Sequence, residues 1–154
     1  MSRPGITIRQ ACTDDAPAIA PLFDAYRRFY EQAADLEGAE RFLSERLARQ
    51  ESDILLACDD KGWILGFCQL YPTFCSVEAA PIFALYDLFV QPAHRRTGVG
   101  RALLLAAEGL ARERGKVRMD LTTARSNQQA QALYESLGWQ QDTVFLAYSR
   151  RIGG

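Results

Sequence analysis

Histidine is nearly missing from this chain: His94 is the only one. A multi-histidine metal centre and a metalloprotease motif are therefore excluded by count. The four cysteines, Cys12, Cys58, Cys68 and Cys75, show no CxxC or other metal-ligand spacing. All lie in or beside apolar stretches, where cysteine acts as a small buried hydrophobe, so neither a metal site nor a disulfide is expected. Charge of either sign is not in excess: 18 Lys and Arg face 19 Asp and Glu, for a net charge of -1. That balance argues against nucleic acid or an anionic membrane as the main partner, since both are held by basic surface. No apolar run approaches the roughly 20 residues of a membrane helix. The opening MSRPGITIRQ has no apolar core of the kind a signal peptide needs, so a cytoplasmic location is expected.

What is present is patterned as alternating strands and helices. Residues 5–11 alternate and suit a first strand. Thr13 or Asp14 offers an N-cap and Pro17 a first turn, ahead of a helical stripe of Ile19, Leu22, Phe23, Tyr26, Phe29 and Tyr30. After the polar stretch EQAADLEG a second helix is expected over 39–50, with Phe42, Leu43 and Leu47 on one face. Residues 53–59 and 63–75 read as a β-hairpin, with Gly66 marking a bulge or close approach and Pro72 limiting the far end. The run 81–90 suits a buried central strand. A helix over 98–114 carries Val99, Leu103, Ala106 and Leu110 on one stripe and stops at Gly115. A strand at 117–123, a helix at 127–137 and a closing strand at 143–149 complete the order β-α-α-β-β-β-α-β-α-β. With no repeat or linker, this predicts one α/β domain over 1–154, a mixed sheet with helices on both faces.

The stretch QPAHRRTGVGRALLLAAEGLARERG (91–115) joins the run 81–90 to a helix through a basic glycine loop. Glycines let backbone approach a ligand, the first N–H groups of a helix are unsatisfied donors, and arginines pair with phosphate bidentately. A pyrophosphate is the natural guest. Two common phosphate loops do not fit. A Walker A loop requires lysine where Arg101 follows Gly100, and a dinucleotide fingerprint requires Gly or Ala where Leu103 stands.

Arg95-x-x-Gly98-x-Gly100 at a helix start resembles the acyl-CoA loop of the GNAT superfamily of N-acetyltransferases. The segment NQQAQALYESLGW (127–139) is similar to that family's N-x-x-A-x-x-L-Y-x-x-x-G-[FW] pattern, and ALYDLFV (84–90) is similar to its central strand. The order of elements agrees over nearly the whole chain. The resemblance implies a mostly antiparallel sheet with a splayed central strand pair and acetyl-CoA as acetyl donor, with no metal. It implies an amine acceptor, either a small molecule such as a polyamine or amino acid, or a peptide lysine. The stretch Tyr26–Gln32 and the strand 81–90 also resemble the branch that acetylates small amines, polyamines, amino acids and histone tails, whose members are often dimers. A homodimer is therefore expected.

The same resemblance assigns residues. Backbone N–H groups of Arg96, Thr97, Gly98, Val99, Gly100 and Arg101, with Arg95, cradle the pyrophosphate. Phe89, Val90 and Gln91 pair with the cofactor arm, and an N–H near Val90 faces the thioester oxygen. Asn127 and Ala130 belong to the second cofactor segment, where Asn127 also suits an N-cap. Tyr134 matches the tyrosine that protonates the departing thiolate; the lesser alternative is a helix residue packed beside Leu133 and Leu137. The general base is open, because the place of the family's usual glutamate is held by Tyr86. Asp87, a water chain or Tyr86 itself remain, and simple alternation sends Asp87 to the face opposite Tyr86. His94 reads as a solvated turn residue. Tyr26, Tyr30, Glu31 and Tyr86 are the candidate acceptor contacts. The acids Glu31, Asp35, Glu37 and Glu40 suit a cationic amine, whereas Arg27 and Arg28 suit a carboxylate. The alternative function is a non-catalytic acyl-CoA sensor.

Overall fold

In the computed structural model, which describes residues 5–153, the chain divides into two compact units, Met1–Thr122 and Thr123–Gly154. The MSRP that opens the N-terminal reading lies outside the described residues. The first unit runs β1 (Thr7–Gln10), α1 (Ala16–Phe29), α2 (Leu36–Ala48), β2 (Asp53–Cys58), β3 (Ile64–Cys75), β4 (Ala80–Val90), α3 (Val99–Glu113) and β5 (Met119–Asp120). The strands lie side by side in chain order; β1 to β4 are antiparallel neighbours and β5 joins β4 in parallel. This is the mixed, mostly antiparallel α/β sheet expected, and β2–β3 is the expected hairpin.

Alternation assigns each strand residue a face. Ile54, Leu56 and Cys58 of β2, Phe67 of β3 and Phe89 of β4 share a buried cluster with Ile19, Phe23 and Leu43 of α1 and α2. The opposite face carries Leu55, Ala57, Cys68 and Leu70, all buried, and α3 packs on β2, β3 and β4. Each fully buried large apolar side chain contributes about 1.5–3 kcal/mol to folding. Two bulges interrupt the alternation. Ala57 pairs Gly66 and Cys58 pairs Ile64, so Leu65 is extra; Gln69 pairs Asp87 and Leu70 pairs Leu85, so Tyr86 is extra.

Several boundaries differ from expectation. A short 3-10 helix, Thr13–Asp15, precedes α1, and Asp15 rather than Thr13 or Asp14 stands at its N-cap. The buried stripe of α1 stops before Phe29, which is 62% exposed. Helix α2 starts at Leu36, because the Asp35 side chain accepts the Gly38 N–H while the buried Asp24 carboxylate accepts the Asp35 N–H, a tertiary bond. Pro72 does not end β3. The last β2 partner of β3 is Leu70, opposite Asp53, so Pro72 lies where that edge is free and its missing N–H costs no ladder bond. The buried stripe of α3 is Val99, Leu103, Leu104, Ala107 and Ala111, one position beyond the expected Ala106 and Leu110. Cys58 and Cys68 are buried as expected and burial pushes the Cys68 thiol up to about 12, but Cys12 is exposed and Cys75 only half-buried.

The second unit holds α4 (Gln128–Ser136). The strand expected over 143–149 is not formed: no ladder includes it, and Val144, Phe145, Leu146 and Tyr148 are exposed. Asp142 opposes it: its carboxylate accepts the N–H groups of Val144 at 2.8 Å and Phe145 at 3.1 Å, as an Asx-type turn does.

Candidate active site

Strand β4 delivers the chain into the glycine loop. Gln91 fastens that junction: its N–H reaches the Leu65 carbonyl at 2.9 Å and its Nε2 the Ile64 carbonyl at 2.7 Å. The Gln91 backbone N–H and side-chain amide are thus both tied to β3, which makes it a positioning residue. By alternation, Val90 then turns its backbone groups to the outer edge. On that edge β4 pairs with β5 only at Phe83 and Ala84, so Leu85 to Val90 have no strand partner there among the described residues. The edge carries the Val90 N–H, and the Val90 carbonyl accepts Arg95 Nε at 2.9 Å. Arg95 lies over the Phe89 ring, 5.5 Å from its centroid, so this arginine braces the loop.

The loop itself is built from local rules. Pro92–His94 forms a 3-10 turn closed by the His94 N–H on the Gln91 carbonyl, and the Thr97 hydroxyl donates to the His94 carbonyl. His94 thereby sits in the turn, as expected. Arg96 and Gly98 take left-handed conformations, φ 64° and 90°. Such a φ strains a side chain at Gly98 and sets the direction in which α3 departs. The first helical bond runs from the Ala102 N–H to the Gly98 carbonyl, which leaves Val99, Gly100 and Arg101 N–H without intrahelical acceptors. The helix dipole adds about half a positive charge there. Arg96 and Arg101 are exposed and form no ion pair among the described residues. Three orphan donors, two unpaired guanidiniums and a free strand edge fit a pyrophosphate-bearing carrier with an amide-rich arm.

On the α1–α2 face a cavity of about 530 Å3 opens between these helices and strands β3 and β4. That is the volume of a small-molecule site. Phe23, Tyr26, Phe42, Tyr71 and Tyr86 form its aromatic walls. The Tyr71 and Tyr86 rings meet at 5.4 Å, while Tyr26 packs 6.1 Å from both Phe67 and Phe89. Asp87 also lines it. Alternation put Asp87 and Tyr86 on opposite faces, and the bulge overturns that: with Tyr86 as the extra residue, both side chains line one cavity. Asp87 is buried, accepts Gln69 Nε2 at 2.8 Å and is hydrogen-bonded by Tyr26. Burial pushes its carboxyl above the ordinary carboxylate range, and the bonds from Gln69 and Tyr26 oppose that push only in part.

Of the expected acceptor contacts, Tyr26 and Tyr86 line the cavity; Tyr30 and Glu31 do not. Tyr30 packs its ring edge-on to Tyr26 at 5.2 Å, and Glu31 turns the chain with φ 64°. Gln69, Asp24 and Arg41 were not singled out from the sequence. Gln69 sits opposite Asp87 only through register, Asp24 is a polar residue on the buried side of α1, and Arg41 reaches the cavity from α2. No group of three or more His, Cys, Asp or Glu gathers among the described residues. No helix there is long and apolar enough to cross a membrane.

In the second unit, Asn127 caps α4 by accepting the Ala130 N–H at 3.2 Å. Gly138, φ 92°, ends the helix. Its N–H reaches the Glu135 carbonyl and the Trp139 N–H the Tyr134 carbonyl, a Schellman pair with the Tyr134 and Trp139 rings 6.0 Å apart. The N, A, Y, G and W of the 127–139 motif therefore each have a local structural reason.

Fold and loop together describe an α/β domain that presents an anion cradle beside a free strand edge. The chain belongs to the acetyltransferase (GNAT) family, whose pattern matches residues 19–139. It is 50% identical over 143 residues to the uncharacterized N-acetyltransferase YhfO of Bacillus subtilis (strain 168), covering 93% of this chain and 95% of that protein. It is 32% identical to the aminoglycoside N(6')-acetyltransferase type 1 of Stenotrophomonas maltophilia, across 94% and 92% of the two chains. A crystal structure of a probable acetyltransferase superposes with TM-score 0.89 at 40% identity, over 96% of this chain and 99% of the other. The protein is thus an N-acetyltransferase by family, and enzymes of this family use acetyl-CoA.

Proposed function

We propose that the enzyme moves the acetyl group of acetyl-CoA directly to a primary amine of a small molecule seated in the α1–α2–β4 cavity. One observation carries the reading. A single strand, β4, supplies Asp87 to an aromatic cavity and, three residues on, a free edge at Val90 leading into the anion cradle. At about 3.3 Å per residue these two points lie about 10 Å apart along the strand, a span that an amine and one bridging water cover.

Acetyl-CoA, when bound, supplies the acetyl group as an activated thioester. The Val99, Gly100 and Arg101 N–H groups, with Arg96 and Arg101, hold the phosphates. The outward Val90 N–H donates to the carbonyl oxygen as negative charge develops on it. Asp87 takes the proton lost by the attacking amine, directly or through water, which its raised affinity for a proton suits. The bond formed is amine nitrogen to acetyl carbon, and the bond broken is carbon to sulfur. Tyr134 is assigned, on the motif shared with the family, to protonate the sulfur, since a phenol of pKa about 10 lies close enough to a thiol.

The test is CoA release from acetyl-CoA across a panel of amines. Turnover with at least one is expected, and Tyr134→Phe should lower kcat by about 100-fold or more. Unchanged kcat removes the general-acid assignment. Tight acetyl-CoA binding without turnover on any amine makes the protein an acyl-CoA sensor instead, the reading that Tyr86 in place of a glutamate would then support.

A further inference from the structure

We infer that the acceptor is an amino carboxylate with its amine at one end of an apolar body and its carboxylate at the other, as in an ω-amino acid, and that Arg27 and Arg41 hold that carboxylate. The inference rests on the transferase reading above and names its substrate class. Arg27 on α1 and Arg41 on α2 both line the cavity. Neither forms an ion pair or side-chain hydrogen bond among the described residues, whereas the arginines around them are taken. Arg28 pairs with Asp24 at 3.3 Å. Arg46 pairs with Glu45 at 3.3 Å and Glu51 at 3.0 Å, and lies over the Phe42 ring at 4.7 Å.

No acid of the cavity pairs with either guanidinium among the described residues. Glu45 faces Arg46 at 3.3 Å, and Asp35 turns one oxygen to the Gly38 N–H at 3.0 Å as the cap of α2. Glu31, Glu37 and Glu40, which made a cationic acceptor attractive in the sequence, do not line the cavity. What remains is a dipolar site: Asp87 on β4, two unpaired guanidiniums on the helices, and aromatic walls between. Guanidinium matches carboxylate in planar, bidentate geometry. A ligand with an amine at one end, a carboxylate at the other and an apolar body satisfies each part. A polyamine or aminoglycoside would set a second cation against Arg27 and Arg41, a like-charge contact that disfavours it.

Matched pairs of acceptors test this in the wild-type enzyme with acetyl-CoA: 4-(aminomethyl)benzoate against benzylamine, and 4-aminobutyrate against butylamine, with putrescine and an aminoglycoside as polycations. The carboxylate member of a pair is expected to have the higher kcat/KM, by about 10–100-fold, the range for a charge-assisted contact. Arg27→Ala and Arg41→Ala should each remove most of that advantage through KM while the KM for acetyl-CoA is unchanged. Arg41→Glu, at an exposed position that tolerates either charge, should move the preference toward putrescine. Equal kcat/KM within the pairs, or a preference for polycations, overturns the inference and leaves the transferase reading standing. Absence of turnover on every amine overturns both.

Discussion

Gly66 links the stability of this fold to its chemistry, and Gly66→Ala separates a steric cause from a conformational one. Gly66 pairs with Val90 across β3 and β4. A Cβ there would stand 2.7 Å from the Phe89 carbonyl oxygen, 3.2 Å from Val90 Cα and 3.3 Å from Val99 Cγ1. The closest of these is backbone, so no side-chain rotation relieves it; β4 must move away from β3. Overpacking of this kind costs about 1–3 kcal/mol, offset by about 0.4–1 kcal/mol from the stiffer unfolded chain, for a net loss of about 1–2 kcal/mol. In a chain of 154 residues, where 1 kcal/mol moves Tm by about 2–4 °C, a fall of about 2–8 °C is expected in thermal melts followed by circular dichroism. The atoms displaced belong to Val90, whose N–H is assigned to the acetyl oxygen, and to Val99, which opens the cradle. The KM for acetyl-CoA should therefore rise together with the loss of stability. A Tm within 1 °C of wild type, or above it, refutes the close-approach argument.

Two further substitutions probe the cradle and the base. Gly98→Val places a β-branched residue at φ 90°, so the loop must refold locally; acetyl-CoA affinity by calorimetry should fall at least about tenfold while the circular dichroism spectrum is kept, and unchanged affinity removes the loop from the site. Asp87→Asn tests both pH dependence and stability. Only the carboxylate accepts a proton, so kcat/KM should rise with pH through a pKa above the ordinary carboxylate value, and this limb should vanish in the variant. For stability the sign is the reverse. A carboxyl whose folded pKa is raised stabilises the fold below its unfolded pKa and loses that contribution as pH rises through the folded value, so melts of wild type should fall relative to Asp87→Asn across that window. Parallel Tm-against-pH curves would show that Asp87 is not held in a desolvated place.

Most of the sheet and the four helices were legible because their signals are local. Stripes of period 3.6 located α1 and α3, and apolar runs on either side of the DDKG turn located β2 and β3. The misplaced ends share a cause, in that each is decided by a partner distant in sequence. Helix α2 begins three residues before the expected start because Asp24 on α1 binds the Asp35 N–H. Strand β3 continues through Pro72 because β2 has already ended. The segment 143–149 has the composition of a strand, yet a ladder needs a second strand, and its first N–H groups go to Asp142 instead.

The site divides along the same line. Gly98, Pro92 and the loop's turn residues act through conformational rules that reach only a few residues, so the loop's conformation could be read without a structure. The acceptor end could not, because it depends on one inserted residue. Without a bulge, Tyr86 and Asp87 project to opposite faces, and a base paired with an aromatic wall is not available. The register step between Gln69 and Leu70 makes Tyr86 extra, brings it beside Asp87 at the cavity and keeps Gln69 opposite the carboxylate. Deleting Tyr86 would therefore do more than remove a ring. It would leave Leu85 beside Asp87, turn the Leu70–Leu85 and Gln69–Asp87 pairs into consecutive rungs of a regular ladder, and remove both the local kink and the ring partner of Tyr71, while Asp87 keeps the α1–α2 face.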